Sequence, residues 1–297
     1  MNSVISALCA EGIAARENVP MREYTTLRVG GPAAVFVEPS SAEALARALQ
    51  IAKENALNTL IVGNGSNLLI RDAGFDGMVV HIGEKMGGAV CEGNLLRVGA
   101  GTTLTAAALT AQRAGLSGME PLSGIPGTCG GAVYMNAGAY GADVAALLKS
   151  ATLLSPDGKT AEVPAEALRL SYRHSRMMET GEIVLGAVFS LTPGDGAQIA
   201  ADMRSYAAKR REKQPVTLPS AGSFFKRPQG HFAGALIENA GLKGARVGGA
   251  AVSELHAGFL VNVGNATAQD FLDLAALVKK RVYETSGVEI EPEVRII

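Results

Sequence analysis

The spacing of apolar residues changes along this chain, and each change of period predicts an element. Residues 33–38 are almost continuously apolar and read as a short buried strand. Ser40, with Glu43 three residues on, then supplies a capping box for a helix carrying Leu45, Ala48, Leu49 and Ala52 on one face. A second strand at 59–62 completes a strand-helix-strand pattern and runs directly into GNGSNLL, where ligand loops are common. From 77 to 101 short strand-like runs alternate with glycines; Thr103 then opens a helix that runs through Ala114 and stops at Gly115. A hairpin is expected over 149–163 around Pro156-Asp157-Gly158, and a further strand over 182–191.

Turn formers at 193–196 end this mixed stretch and mark a linker. The helix after it places Ile199, Met203, Tyr206 and Ala207 on one side. It ends at Pro215 in a charged run, 209–213, that suits a solvated face as well as a ligand-facing one. Thr267 with Asp270 caps another helix, bearing Phe271, Leu274, Val278 and Val282. The last segment, VEIEPEVRII, alternates. Val288, Ile290, Val294 and Ile296 share one face of an expected strand, and Glu289, Glu291, Glu293 and Arg295 the other, which fits a charged edge or a carboxylate facing a cleft.

At 297 residues, 47% hydrophobic and 19% charged, the chain is long enough for two domains with a sizeable core. A net charge of -1 gives no basic field for nucleic acid. Three widely spaced cysteines without a C-x-x-C pair argue against disulfides and zinc and for a reducing, cytoplasmic setting. Four scattered histidines lack metal-ligand spacing, so no metal is expected. The mildly amphipathic start lacks the basic and apolar regions of an export signal, and no apolar run is long enough to span a membrane. What stands out is glycine, with 36 residues clustered where strands meet loops, a sign of main chain pressed close to a ligand.

The chemistry-bearing strings follow from that. GNGSN at 63–67 lacks the third glycine of the dinucleotide fingerprint, yet uncovered N–H groups with Ser66 and Asn67 suit a phosphate; a plain strand-to-turn connection is the alternative. The glycine-dense run at 121–141 has neither helical nor strand periodicity, and Asn136 and Tyr140 add polar groups to it. AGSFFKRP sets a hydroxyl between glycine and two aromatics, and SYRHS offers a Tyr172-Arg173 pair; by composition alone these read as buried phenylalanines and surface polarity. There is no G-x-S-x-G elbow and no P-loop.

Taken in order, TTLRVGGPA (25–33), VGNGSNLL (62–69), SGIPGTCGGAVYMNAGAYG (123–141), SYRHS (171–175), GSFFKRP (222–228) and EPEVRII (291–297) closely resemble the UDP-N-acetylenolpyruvoylglucosamine reductase (MurB) family, over nearly the whole chain. The resemblance implies an α+β fold with a vanillyl-alcohol-oxidase-type (PCMH) FAD-binding domain of two α+β lobes at 22–194. Residues 1–21 would form a helical segment packed on it, and 195–297 a smaller α+β substrate-binding domain. FAD is the implied bound cofactor, NADPH the co-substrate, and UDP-N-acetylglucosamine enolpyruvate the small-molecule substrate, in a cytoplasmic monomer.

The implied flavin contacts are Arg28, then Gly63, Asn64, Gly65, Ser66 and Asn67. The second segment supplies Gly124, Ile125, Pro126, Gly127, Thr128, Gly130, Gly131 and Ala132, with Asn136 and Tyr140 beyond it. In the family's mechanism hydride passes from flavin N5 to the enolpyruvyl methylene carbon. Motif matching makes Ser223 the proton donor to the adjacent carbon, Arg173 the cation that stabilises the enolate-like charge, and Glu293 the group beside the substrate carboxylate. Tyr172, Lys213, Lys226, Arg227 and Arg295 are implied at the nucleotide, although other members carry Asn at position 227. The short turn after Leu191 leaves no room for an inserted tyrosine loop, which implies the shorter subclass. Another FAD oxidoreductase of the same fold and a binding module without turnover remain the alternatives.

Overall fold

Burying these periodic faces produces separate apolar cores, two of which draw on distant stretches of the chain. The computed structural model describes residues 2–297. Its chain divides into two units, one of Met1–Glu17, Val35–Asn64 and Gly77–Ala208, the other of Asn18–Ala34, Gly65–Asp76 and Lys209–Ile297. The sequence reading draws consecutive domains with a linker at 193–196. Turn formers there mark a change of element, and the helix that follows at once, Gly196–Lys213, crosses the unit limit.

In the first unit, strand Thr59–Val62 pairs in parallel with Phe75–His81, which separates it from Pro32–Val37 in the sheet. The strand-helix-strand pattern is therefore present, but its strands are not neighbours. The intervening helix is Ala42–Glu54, and it is capped by Ser41, whose hydroxyl accepts from the Ala44 N–H at 3.1 Å. The cap thus lies one residue beyond the expected Ser40, because Ser41 holds the extended φ of -154° that a cap requires. Leu45, Ala48, Ile51 and Ala52 turn inward against helix Asn2–Ala10 and the sheet. The amino-terminal helix ends at Ala10, and 15–20 forms a strand instead of continuing the expected helical segment.

The other sheet of this unit is antiparallel, in the order Thr160–Pro164, Leu148–Leu154, Ile183–Ser190, Leu95–Gly99, Ala89–Glu92. Helix Leu104–Arg113, capped by the Thr103 hydroxyl at 3.2 Å, lays Leu104, Ala107, Ala108 and Ala111 on its core. The hairpin over 149–163 and the strand over 182–191 lie where they were expected.

In the second unit, strands Ser220–Ser223, Phe259–Asn262, Ala250–Val252 and Arg246–Val247 form an antiparallel sheet backed by helices Ala233–Asn239 and Ala268–Ser286. The capping box of Thr267 and Asp270 is formed in full, and Phe271, Leu274, Val278 and Val282 are all buried. The last segment keeps its alternation only in part. Ile290 and Val294 are buried, but Ile296 is exposed, and only Arg295–Ile296 is a strand, parallel to Leu68–Leu69. Pro292 lacks the N–H that a continuous ladder needs there. No helix among the described residues is long and apolar enough to cross a membrane.

Candidate active site

Two of the glycine-bearing segments meet in the first unit. The Asn64 amide donates to the Pro126 carbonyl at 2.9 Å, and a Cβ on Gly63 would stand 2.3 Å from the Thr128 hydroxyl. Thr102 and Ala100 anchor the run beyond, their carbonyls accepting from the N–H groups of Cys129 at 2.7 Å and Gly130 at 2.9 Å. Glycine at 130 has a packing reason as well, since a Cβ there would reach the Ala100 Cβ at 3.0 Å. Gly65, in the second unit, has φ +58° and would drive a Cβ to 2.0 Å from the Tyr24 carbonyl oxygen. Neighbouring main chain or side chain therefore accounts for glycine at 63, 65 and 130.

Gly131 differs. It is exposed, its φ is not positive, and a Cβ built on it would meet nothing nearer than the Thr128 hydroxyl at 3.6 Å, an ordinary contact. Nothing in the protein requires glycine at this place, so a flat or charged ligand laid against 124–131 fits the bare main chain it offers. The neighbouring Cys129 is wholly buried and desolvation pushes its thiol up to about 12, which removes it as a nucleophile.

The same unit holds Asn136, Tyr140, Tyr172 and Arg173. Asn136, Tyr140 and Arg173 all adopt left-handed backbone, with φ of +41°, +54° and +53°; in the second unit Arg28 does so too, at +56°. Such conformations disfavour residues with a Cβ and tend to gather at functional sites. Tyr172 and Arg173 occupy the tip of a two-residue turn closed by mutual N–H to carbonyl bonds between Ser171 and His174 at 3.1 and 3.2 Å. The Arg173 guanidinium lies 5.1 Å from the Tyr172 ring centre. Tyr140 sits at the turn joining Gly138–Ala139 to Ala142–Asp143, its ring 5.0 Å from that of Tyr206.

In the second unit, Ser223 ends a strand after Gly222, whose φ is +75°. Phe224 and Phe225, buried edge to face at 5.3 Å, follow directly on the exposed Ser223 and fix the main chain there. The chain at 224–226 then pairs with the last segment. The Glu293 N–H donates to the Phe224 carbonyl at 2.8 Å, Phe225 bridges Pro292, and the Lys226 N–H donates to the Glu291 carbonyl at 2.8 Å. Asn67 joins this group: its amide donates to the Glu293 carbonyl at 3.3 Å, and its own carbonyl accepts from the Arg295 N–H at 3.0 Å.

Ser223, Glu293, Asn67 and Arg295 are thus assembled from three distant stretches of sequence. Lys226 forms an exposed ion pair with Glu291 at 3.2 Å, worth little by itself. Arg227 stacks over the exposed Phe232 ring at 4.0 Å, a partner that sequence reasoning passed over because a lone exposed aromatic carries no local signal. Lys213 ends its helix exposed.

Residues 33–164 match the model of an FAD binding domain, and residues 214–297 that of the UDP-N-acetylenolpyruvoylglucosamine reductase C-terminal domain. The chain is 47% identical over 282 residues to the UDP-N-acetylenolpyruvoylglucosamine reductase of Clostridium novyi (strain NT), covering 95% of this chain and 92% of that protein. It is 45% identical over 287 residues to that of Streptococcus equi subsp. zooepidemicus (strain H70), covering 97% of each. Among solved structures, the UDP-N-acetylenolpyruvylglucosamine reductase (MurB) from Thermus caldophilus aligns with a TM-score of 0.82 at 37% identity, over 96% of this chain and 99% of that one. Alkyldihydroxyacetonephosphate synthase, at 19% identity and a TM-score of 0.52 over 65% of this chain and 41% of that one, shares the fold alone. The α+β architecture with an FAD-binding domain and a distinct C-terminal domain, expected from the sequence, is borne out.

Proposed function

The chain belongs to the UDP-N-acetylenolpyruvoylglucosamine reductase family, and from that premise we propose that Ser223, Arg173 and Glu293 carry out its reaction on the enolpyruvyl group. It is an FAD oxidoreductase of peptidoglycan synthesis acting on a small molecule. Bound FAD would supply the hydride chemistry, with NADPH as its reductant and the methylene carbon of UDP-N-acetylglucosamine enolpyruvate as the acceptor. Ser223 delivers the proton to the adjacent carbon, giving UDP-N-acetylmuramate. Arg173 neutralises the charge that develops toward the substrate carboxylate as the double bond is lost, and Glu293 stands beside that carboxylate.

The observation that carries this reading is the Ser223 and Glu293 pairing. Segments some seventy residues apart meet at one backbone hydrogen bond, from the Glu293 N–H to the carbonyl of Phe224, the residue after the exposed Ser223, at 2.8 Å. A serine is a weak acid in water, so this role requires a cation such as Lys226 or Arg173 to stabilise its alkoxide.

Gly124 to Ala132, with Gly63 and Asn64, would hold the cofactor through main-chain groups, as the unexplained openness at Gly131 supports. Arg28, Gly65, Ser66, Asn67 and Tyr140 complete the proposed cofactor set. Tyr172, Lys213, Lys226, Arg227 and Arg295 form the nucleotide set, their charge suiting a diphosphate. The domain limits that go with this reading are 22–194 and 195–297, within which the two family matches at 33–164 and 214–297 fall. The enzyme is taken to work as a cytoplasmic monomer.

Purified yellow protein should consume NADPH beyond one equivalent per flavin only when UDP-N-acetylglucosamine enolpyruvate is present, and mass spectrometry should find a product heavier by two hydrogens. NADPH loss that ignores the substrate, with no such product, overturns the proposal.

A further inference from the structure

We infer that Asn136 is a positioning residue for Arg173, holding the turn on which the guanidinium is carried and offering it a carbonyl to lie against. This deepens the role proposed for Arg173 and rests on it. Asn136 is 3% exposed. Its amide nitrogen donates to Asp143 Oδ2 at 3.2 Å and to the Ser171 carbonyl at 3.1 Å, and its amide oxygen accepts from the Ala145 N–H at 2.9 Å. Both donor hydrogens are therefore committed to the protein, and a cofactor contact through that nitrogen would have to break one of them. The main chain of Asn136 is engaged as well: its carbonyl accepts from Arg173 Nη1 at 3.4 Å.

The Ser171 carbonyl that Asn136 grips is the one that closes the Tyr172-Arg173 turn by accepting from His174. One residue thus fixes both the base of the turn and the end of the side chain that the turn presents. Next to it, the buried Ser175 hydroxyl donates to the Tyr134 carbonyl at 2.7 Å, a second tie between the two segments. Left-handed φ at Arg173, unlike that at Asn136, is a shape its residue does not prefer; the cross-links over-determine it. A cation aimed at charge that develops only during reaction must be in place beforehand, and a misplacement of about 1 Å costs about a hundredfold in rate.

The test uses the FAD-loaded enzyme with Asn136→Gly, which keeps left-handed backbone cheap while removing the amide, and Asn136→Ala alongside it. Flavin content and flavin reduction by NADPH should stay within about twofold of wild type, while reoxidation by saturating UDP-N-acetylglucosamine enolpyruvate slows about 10- to 100-fold. In an Arg173→Ala background, Asn136→Gly should slow reoxidation by less than about twofold, because the group it positions is gone.

Nitrogen-15 NMR gives a readout independent of turnover. The Arg173 Nε signal, assigned by its loss in Arg173→Lys, should show freer guanidinium motion in Asn136→Gly and no change in Thr267→Ala. An additive penalty in the Arg173→Ala background, equal slowing of both half-reactions, loss of FAD, or an unchanged Arg173 signal would each overturn the inference. Should Arg173→Ala itself reoxidise at the wild-type rate, the role proposed for Arg173 fails instead; a wild type that the substrate does not reoxidise would break the functional proposal.

Discussion

Helix Ala268–Ser286 is capped by bonds between residues three apart, whereas the turn carrying Arg173 is tied to Asn136, 35 residues before the Ser171 carbonyl that it grips. The helix keeps an ordinary backbone, with an apolar stripe below and a capping box at its start. The turn keeps a backbone that Arg disfavours, at φ +53°, and holds it through groups from other segments. Local propensity and function agree in the first and conflict in the second, and a conflict that persists points to what the turn is for.

Replacing Arg173 by Gly separates the two demands most widely. Turnover should fall by about 10²- to 10³-fold, since a cation aimed at the developing charge is lost. The melting temperature should hold or rise, because left-handed backbone costs Arg about 1 kcal/mol more than Gly. A melting point several degrees lower would mean that the turn is a structural element like the helix.

The glycines allow a finer contrast. Gly131→Ala should weaken FAD binding by about tenfold, or about 1.4 kcal/mol, in a fluorescence titration, while the cofactor-free protein loses no stability. Gly63→Ala should instead destabilise the cofactor-free protein, because its Cβ meets the Thr128 hydroxyl at 2.3 Å. If the two behave alike, the distinction between packing glycines and ligand-facing ones fails.

On the helix, Thr267→Ala should cost about 1 kcal/mol in urea unfolding without altering turnover per folded molecule. The smallest effect concerns acid. Asp270 lies below its usual range because it accepts N–H bonds from Thr267 and Gly249, each at 3.0 Å. A depressed folded value adds stability that is complete above the unfolded value of about 3.9 and is lost as pH falls through the folded one. Asp270→Asn should therefore show a shallower loss of urea stability than wild type below about pH 4, and parallel curves would contradict this.

The same contrast explains how much was legible beforehand. Thr267, Asp270 and the stripe from Phe271 to Val282 needed only near-neighbour rules, and so did Thr103 and the hairpin around Asp157. Ser41 displaced Ser40 as the cap although Glu43 stands three residues after Ser40, because it is the Ser41 hydroxyl that accepts from the Ala44 N–H. The last segment lost its strand at Pro292, and Phe75–His81 entered between two strands that sequence order suggested were adjacent. At the candidate site, the motifs indicated which residues matter but not why they are glycine or asparagine. Gly63 and Gly65 are shaped by Thr128 and Tyr24, and Asn136 by Asp143, Ala145 and Ser171, partners that no local pattern links.

The most direct test is single-turnover kinetics on Ser223→Ala. The account expects NADPH to reduce the bound flavin at close to the wild-type rate, and UDP-N-acetylglucosamine enolpyruvate to reoxidise it at least about a hundredfold more slowly, the proton donor being gone. If Ser223→Ala slows both half-reactions together, or slows neither, the Ser223 hydroxyl is not the group that protonates the substrate.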